Sequence, residues 1–527
     1  MGWGYGLWVG LVCTVAVGTQ AQTPAPKGQP IEILNSDRLT ETRGDTGFVV
    51  RRLIGNVRFR QDSTFMFCDS AYFYPRENQI EAISRVQIVT PNETGGRLRI
   101  YADNLLYDGR TRIAEFYDNV RLTDGRATLY TERLYYDRNR AQGYYPDGGR
   151  LVEDENELRS RIGYYYSPQR LATFSTEVIA TTPGYVMETD SLVYETQIKK
   201  THFVLPTTIR SDTEQTLYTE GGYYISTPRE LLLYQNPWAR DSSYYLHADT
   251  LYYRDTVDWG EAHCNVVLLS HDQTTTILGE TAFFRRATQE TWVTDNALLI
   301  QTSEDDTLNL WADTLYSIND TVRGIRELRA YRNARFAAHD LAGRADSLHY
   351  DRTDSLLTLL GDPVLWADRT QLSGDTILVR FRGTGPDTLW AHSNGLILSH
   401  VREEYYNQIQ GKRVRGHFAD RQLRWLEVVE NTEVIYYPQN EDSSLVGLNL
   451  TRSGSMQMWL EQSQPRRVNF YVGITADVFP LHQVTRDQLF LSRFRWRADE
   501  KPYLYYVPIT RAAESAPAVP EAGGGLP

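Results

Sequence analysis

The sequence predicts an all-β protein built as a stack of repeated strand pairs. Three observations support this fold class: one phrase recurs along the chain, apolar and polar side chains alternate within it, and turn-forming residues separate the alternating runs. Tyrosine is abundant, with 35 residues, as is typical of chains rich in strands. The predicted elements follow from these observations in order.

The repeated phrase begins with an acidic residue, which a leucine follows two positions later and a tyrosine four positions later. It reads ADNLLYDGRTRIAEFYDNVRLTDG at 102–125, ADTLYYRDTVDWGEAHCNVVLL at 248–269 and ADSLHYDRTDSLLTLLGDPVLW at 345–366. A degenerate copy carries Ile162 in the acidic position. The period is about thirty residues, which indicates a repeat architecture. The leading acids are Asp69, Asp103, Glu132, Asp190, Glu220, Asp249, Glu280, Asp313, Asp346 and Asp375.

Within each unit the side chains alternate with a period of two, which predicts strands with one buried face. The acids Asp103, Asp249 and Asp346 are expected at strand starts near the rim of the fold. The residues expected to point inward are Leu105, Tyr107, Phe116, Val120, Leu122, Leu251, Tyr253, Val266, Leu348, Tyr350, Leu357 and Leu359.

Turns and kinks divide the strands. Asp108-Gly109 and Asp124-Gly125 each separate two alternating runs, which predicts hairpin turns with positive φ at both central residues. The position sixteen residues after the acid predicts a corner or bulge, because its residue types tolerate bent backbone. That position holds Asn119, Gly148, Pro206, Asn236, Asn265, Asn296 and Asp362.

Each unit thus supplies two strands and cannot bury its apolar face alone, so units must stack. The predicted fold is an elongated antiparallel β-solenoid of about thirteen such units, with almost no helix. A β-helix with three parallel walls per coil is the rival architecture. Residues 32–475 form the repeat array.

The ends of the chain have other compositions. Residues 1–21 resemble a secretory signal cleaved after Ala21, although no basic residue precedes the apolar run, and an uncleaved membrane anchor is the alternative. Residues 22–31 form a linker, residues 476–511 a C-terminal cap and residues 512–527 a disordered tail. The mature chain is expected to be exported and soluble, with Cys68 and Cys264 as free thiols.

Charge and motif content exclude several functions. The chain has 67 acidic against 55 basic residues, a net charge of −12, which argues against a nucleic-acid partner. The repeated acids lack the glycine-rich spacing of calcium solenoids, and no histidine or cysteine pattern predicts zinc. No nucleophile and base occur in a recognisable pattern, so no catalytic residue, metal or cofactor is predicted and the protein is not expected to be an enzyme.

These phrases resemble the OstA-like (LptA-like) family of lipopolysaccharide-transport proteins, in which A-D-x-L-x-Y and [GD]-N-V-x-L recur. The late stretch YYNQIQGKRVRGHFADRQLRWLEVVENTEVIYYP at 405–438 and LFLSRFRWRADEKP at 489–502 resemble long Bacteroidetes-type members. The resemblance spans about residues 32–502. It implies a periplasmic β-jellyroll whose hydrophobic trough carries lipopolysaccharide acyl chains toward the outer membrane. The inward-pointing residues from Leu105 to Leu359 named above would then line this trough.

The resemblance also implies partners of the same fold in the inner and outer membranes, joined end to end by strand addition, or head-to-tail self-association. An open stack leaves unpaired backbone groups on its first strand, so Ile31 and Ile33 are the predicted docking edge. The C-terminal segment is expected to fold back as a cap on the other end. A closed β-solenoid acting as a scaffold or surface adhesin without lipid is the alternative function. A third hypothesis, a carbohydrate-active solenoid enzyme, is not supported, because the sequence lacks the paired carboxylates that such an enzyme needs.

Overall fold

A computed structural model describes residues 29–503, apart from 44–48, 92–95, 167, 213–214, 304–305, 321, 384, 441, 443 and 462–463. The predicted signal at 1–21, most of the linker at 22–31 and the tail at 512–527 lie outside the described residues. Most of the described chain is strand. Within it, the helical elements are short 3-10 helices at Asp255–Val257, Leu481–Gln483, Arg486–Gln488 and Ala498–Glu500.

The first strands comprise a run of long ones, from β3 to β8, with shorter strands before and after it. They are β1 (Glu32–Asn35), β2 (Arg38–Arg43), β3 (Val49–Gln61), β4 (Thr64–Tyr74), β5 (Gln79–Pro91), β6 (Arg97–Asp108), β7 (Ile113–Thr123), β8 (Ala127–Asp137), β9 (Gln142–Tyr145), β10 (Gly149–Glu153), β11 (Asn156–Ser160) and β12 (Ile162–Tyr166).

The middle of the chain continues in the same manner, with several strands split in two. They are β13 (Leu171–Thr182), β14 (Tyr185–Glu195), β15 (Lys200–Phe203), β16 (Thr207–Ser211), β17 (Thr216–Thr219), β18 (Gly221–Ile225), β19 (Glu230–Tyr234), β20 (Trp238–Arg240), β21 (Tyr244–His247), β22 (Thr250–Arg254), β23 (Trp259–Ser270), β24 (Thr275–Arg285), β25 (Glu290–Thr302) and β26 (Thr307–Asp320).

The last strands include the longest ones. They are β27 (Ile325–Ala337), β28 (Leu341–Asp351), β29 (Leu356–Leu360), β30 (Val364–Ala367), β31 (Thr370–Ser373), β32 (Thr376–Arg382), β33 (Gly385–Arg402), β34 (Tyr405–Ala419), β35 (Gln422–Tyr436), β36 (Leu448–Glu461), β37 (Gln464–Tyr471) and β38 (Thr475–Phe479).

The long strands pair with their sequence neighbours, whereas split strands also pair with strands two or three places along the chain, as β14 does with β16 and β15 with β18. The registered ladders are antiparallel. Leu105 of β6 faces Phe116 of β7, and Phe116 faces Leu134 of β8. The predicted all-β antiparallel fold is confirmed, and the rival architecture, a β-helix with three parallel walls per coil, is wrong. The chain divides into two compact units, each larger than one repeat. The N-terminal unit is Met1–Asp154 with Arg161–Gln169, and the C-terminal unit is Glu155–Ser160 with Arg170–Pro527.

The predicted kinks are present, and they interrupt the ladders. In β7 the register shifts between Tyr117 and Val120, where Asp118 and Asn119 adopt positive φ values of 66° and 55°. The same left-handed pair recurs at Cys264-Asn265, among other sites. Where the kink breaks the ladder completely, one predicted strand becomes two, as in β29 and β30. This splitting is why the described chain has 38 strands rather than two per unit.

Two expectations about local geometry are wrong. Asp103 and Asp346 lie inside β6 and β28 rather than at strand starts, because the strands continue through the corner; Asp249 does immediately precede β22. The turn after Asp108 is also longer than a two-residue hairpin. It spans 109–112, and its positive φ of 62° is at Arg112. The Asp108 carboxylate holds it by accepting hydrogen bonds from the backbone N–H groups of Arg110 and Thr111.

Candidate functional site

The inner face is the surface on which the alternating apolar side chains of each unit meet. In the N-terminal unit, Leu105 and Phe116 are fully buried, and Tyr107, Val120 and Leu122 are buried as well. The side chain next to Phe116 in β7, Tyr117, is only half-buried, as alternation requires. The five predicted positions of this unit therefore lie on one enclosed face.

The C-terminal unit repeats the arrangement at the predicted positions. Leu251, Val266, Leu348, Leu357 and Leu359 are buried. Tyr253 and Tyr350 are half-buried, and the Tyr253 hydroxyl donates a hydrogen bond to Asp258 Oδ1 over 3.2 Å. Tyrosine thus ends the inner face with its hydroxyl near polar groups, which suits its mixed character. Whether either inner face binds a lipid stays a prediction.

Hydrogen bonds between neighbouring strands explain why the acid and the asparagine recur together. The Asn119 side-chain amide donates to Asp103 Oδ2 over 2.6 Å, across the kink. Asn265 donates to Asp249 over 3.0 Å and Asn236 to Glu220 over 3.3 Å. Each pair fixes a corner, so the acids hold the fold together rather than a ligand. Among the described residues, no group of three or more His, Cys, Asp or Glu side chains could hold a metal ion.

One cavity of about 30 Å³ lies inside the N-terminal unit, which is room for a water molecule or two. Its wall includes Ile31, Phe59, Met66 and Ile80, and Arg138 lies at its edge. Since an acyl chain needs far more space, lipid binding at this position requires side chains or strands to move.

A polar cluster closes the N-terminal unit where the two ends of its kinked strands meet. This mouth cluster consists of Gln61, Asp62, Thr64, Tyr107, Arg112 and Arg138. The Arg138 guanidinium donates to Gln61 Oε1 over 2.9 Å, to the Tyr107 hydroxyl over 2.9 Å and to Thr64 Oγ1 over 2.8 Å. Because Gln61 ends β3 and Arg138 follows β8, these bonds tie together turns from opposite ends of the strands.

The mouth cluster carries more positive than negative charge. Arg112 Nη2 lies 3.0 Å from Asp62 Oδ2, and Arg138 Nη2 lies 3.8 Å from the same oxygen. Two guanidinium groups therefore share one carboxylate. Burial raises the pKa of the Tyr107 phenol, while the adjacent Arg138 opposes that shift. The cluster is a positively charged lid over an apolar interior.

Cys68 and Cys264 are free thiols, as predicted, but their environments differ. Cys68 is buried in β4, and burial, with a smaller contribution from Asp69, raises the pKa of its thiol to about 12. Cys264 is exposed at a kink with a φ of 61°. Cys68 is therefore protonated and unreactive at neutral pH.

The two residues of the predicted docking edge occupy different places. Ile33 is in β1 opposite Phe59, and the described residues on the other side of β1 form no ladder with it. Ile31 precedes β1, is buried, and donates its N–H to Asn78 Oδ1 over 3.2 Å. Docking by strand addition stays a prediction, and of the two residues only Ile33 belongs to the edge strand.

The C-terminal segment lies along the outer face of the late strands instead of on their end. The outer face here is the one opposite inward Leu365. Gln408 Nε2 donates to the carbonyl of Leu489 over 2.6 Å, and Gln408 Oε1 accepts from the N–H of Leu491 over 2.9 Å. Gln371 binds the carbonyl of Arg495 and the N–H of Arg497 in the same way, each over 2.8 Å. The described part of the segment therefore folds back, as expected, and covers a sheet face. Residues 504–511 of the predicted cap lie outside the described residues.

Sequence reasoning missed the mouth cluster and the two buried glutamines. Gln61 and Arg138 are 77 residues apart, and Gln408 and Leu491 are 83 apart. A period of about thirty residues relates equivalent positions in neighbouring units and says nothing of such contacts. The one available signal was the run of consecutive apolar residues Val364-Leu365-Trp366, which departs from strict alternation.

Comparisons with known proteins give one family match. The model of the family described as OstA-like protein matches residues 28–190. No curated protein matches the sequence.

Two solved structures show limited similarity. The chain is 13% identical to LptH from Pseudomonas aeruginosa, described as the LptA homologous periplasmic component of a lipopolysaccharide transport device; the match covers 27% of this chain and 95% of that one, with a TM-score of 0.22. It is 7% identical to the extracellular domain of a putative one component system from B. thetaiotaomicron, covering 84% and 98%, with a TM-score of 0.08. At these TM-scores neither likeness bears on the fold or function of this chain.

No helix in the described part of the chain is long and apolar enough to cross a membrane. The family match covers the phrases around Asp69 and Asp103 on which the resemblance rests. The resemblance to the OstA-like protein family is thus confirmed over residues 28–190, which the family model matches.

Proposed function

We propose that this chain is a periplasmic, non-enzymatic protein that binds lipopolysaccharide and moves it toward the outer membrane along its inner face. The observation that carries the proposal is the continuous apolar inner face of an OstA-like repeat. Leu105, Phe116 and Leu134 meet across three neighbouring strands, and each is inaccessible to solvent. Such a face can exchange contacts with its own strands for contacts with acyl chains.

The energetics favour acyl chains as the ligand. Burying one methylene group contributes about 0.8 kcal/mol, so one twelve-carbon chain contributes several kcal/mol. This term requires no charge complementarity. The net charge of −12 also keeps an anionic lipid from adhering to the surface at large. Binding costs the separation of packed side chains, because the cavity of about 30 Å³ is too small for a chain.

Partners of the same fold follow from the end strands. The first strands, β1 and β2, pair with β3 on one side, and the last strands, β37 and β38, pair with β36. Nearly all of their residues are partly or fully exposed. We infer that one such edge joins an Lpt-type protein of the inner or outer membrane by strand addition, or a second copy head to tail.

A closed β-solenoid without lipid is the second candidate, and the complete burial of Leu105, Phe116 and Leu134 favours it. A scaffold or surface adhesin needs only the outer surface, and its interior stays packed to native density. The two candidates differ in one property: whether the inner face ever contacts a lipid.

Photo-crosslinking in the native envelope tests the proposal. A photoreactive residue at Phe116, on the inner face, is expected to label lipopolysaccharide, and the same residue at the neighbouring outward position Tyr117 is the matched control. Mass spectrometry of lipid that co-purifies with the unmodified protein identifies the ligand. Equal labelling at both positions, or no bound lipid, would leave the closed solenoid as the function.

A further inference from the structure

The mouth cluster of the N-terminal unit combines an apolar cavity with an excess of positive charge. Phe59, Met66 and Ile80 line the cavity, while Arg138 closes its edge. The Arg138 side chain is only 13% exposed and that of Arg112 only 22%. Arg112 does not line the cavity, but it lies close to Arg138, since both guanidinium groups contact the Asp62 carboxylate. An apolar space beside this sheltered pair of guanidinium groups matches a molecule with an apolar chain and an anionic end.

The arginines have unfilled capacity for an anion. Asp62 supplies one carboxylate to both, and its side chain is 31% exposed, so solvent weakens the pair. The other partners of Arg138 at the mouth, namely Gln61, Thr64 and Tyr107, are neutral. Arg112 Nε is buried without a hydrogen-bond partner, a costly state that an anionic oxygen would relieve.

Residues of the protein itself occupy the place where an acyl chain would enter. Gln61 Nε2 donates to the carbonyl of Gln29 over 2.6 Å, and Asn78 accepts from the N–H of Ile31. Residues 29–31 are thereby held across the mouth. Ile31 is buried, and its side chain forms part of the cavity wall. The branched aliphatic side chain stands where the end of an acyl chain would lie.

We propose that the mouth cluster is an entry site for an acyl amphiphile with an anionic headgroup, and that Ile31 is a plug which this amphiphile displaces. The phosphate or carboxylate group pairs with Arg112 and Arg138 in place of Asp62, and the chain takes the space vacated by Ile31. The inference rests on the proposed function, because it assigns to the inner face an entrance and a headgroup preference.

Calorimetric titration of the full-length chain tests the site with three probes below their critical micelle concentrations: dodecyl phosphate, dodecanoate and uncharged dodecyl maltoside. Dodecyl phosphate is expected to bind about tenfold more tightly than dodecyl maltoside, since charge-assisted hydrogen bonds are the strong ones. Dodecanoate distinguishes a general anion site from one selective for phosphate. Arg112→Gln with Arg138→Gln should remove the preference for the charged probes while dodecyl maltoside binding is unchanged.

Two further variants keep the test decisive. Asp62→Asn frees both arginines and should raise dodecyl phosphate affinity about threefold, and Ile31→Ala should raise affinity for all three probes. Arg140→Gln is the matched control, because Arg140 lies two residues from Arg138 in an exposed position. If the double variant misfolds by circular dichroism, Arg112→Gln alone and Asp62→Asn give the answer.

The outcomes separate this inference from the proposed function. An unchanged preference in folded arginine variants, or equal wild-type affinity for charged and uncharged probes, overturns the entry site even if Phe116 labels lipopolysaccharide. A lost preference without such labelling establishes the amphiphile site and overturns lipopolysaccharide transport.

Discussion

Strands β7 and β30 carry apolar residues in different patterns, and the difference shows how many layers cover each region. In β7 the buried residue Phe116 is followed by half-buried Tyr117, so one face of the strand is enclosed. In β30, Val364, Leu365 and Trp366 are all buried, although neighbours in a strand point to opposite faces. Both faces of β30 are therefore covered.

The second layer over β30 and its neighbours is the C-terminal segment. Trp366, Gln371, Leu398, Gln408 and Ile435 face one another in register, strand after strand, in a row on the outer face. Each of the two glutamines offers a carbonyl and an amide to an extended backbone, as a neighbouring strand would. Leu491 joins the buried apolar cluster at Ile435. The C-terminal segment thus adds a further layer, the third, over β30 and its neighbours, which strands such as β7 do not have.

The inner face should respond most strongly to substitution. Phe116→Ala is expected to lower the free energy of unfolding by about 3–5 kcal/mol, because it removes a fully buried ring between β6 and β8. Tyr117→Ala, on the half-buried side, should cost about 1 kcal/mol or less. Urea unfolding, with hydrogen exchange read over β6–β8, measures both. Equal losses would mean that β7 is covered on both faces, as β30 is.

The third layer should contribute nearly as much at its apolar contact. Leu491→Ala is expected to cost about 2–3 kcal/mol, because the side chain is buried against the outer face. Arg493→Ala is the control, since Arg493 is exposed two residues away. Urea unfolding of the C-terminal unit, followed by hydrogen exchange over β33–β35, gives the comparison. If both variants unfold alike, the segment does not stabilise the sheet it covers.

The fold and the inner face could be predicted from the sequence, whereas the third layer formed by the C-terminal segment and the mouth cluster could not. Alternation placed Leu105 and Phe116 on one face, and the residue type of Asn119 predicted the kink. Both features depend on residues that are close in sequence. The burial of Gln408 and Ile31 depends on segments far away in sequence. Polar residues are expected outside by composition alone, so only a structure reveals that Gln408 is inaccessible to solvent.

The buried glutamines should show a smaller effect that is specific to hydrogen bonding. Gln408→Leu keeps the approximate size of the side chain but leaves the carbonyl of Leu489 and the N–H of Leu491 without partners. A loss of about 1–3 kcal/mol is expected from the unsatisfied backbone groups. Gln422→Leu, in exposed β35 surface, is the control. A neutral Gln408→Leu in urea unfolding would show that water replaces the glutamine there.

The smallest effect on stability is expected at the N-terminal edge, where the change should act on association instead. Gln61 and Thr64 face each other across a two-residue turn, so their backbone groups form a hydrogen-bonded pair between β3 and β4. Backbone groups alternate in direction along a strand, so the N–H and C=O of Arg60 point toward β1 and those of Phe59 toward β4. Ile33, opposite Phe59, therefore presents its own N–H and C=O at the free edge. Proline is tolerated at such a position because no ladder bond is lost.

Ile33→Pro should thus leave the circular dichroism spectrum and the urea midpoint within experimental error of the wild type while abolishing strand addition. Ile33→Ala is the matched control, since it removes the side chain but keeps the N–H. Sedimentation velocity reads self-association, and a photoreactive group at exposed Leu34 reads contact with a same-fold partner in the envelope. Association that survives Ile33→Pro would move the docking surface to the edge of β37 and β38, whose residues are exposed or partly exposed.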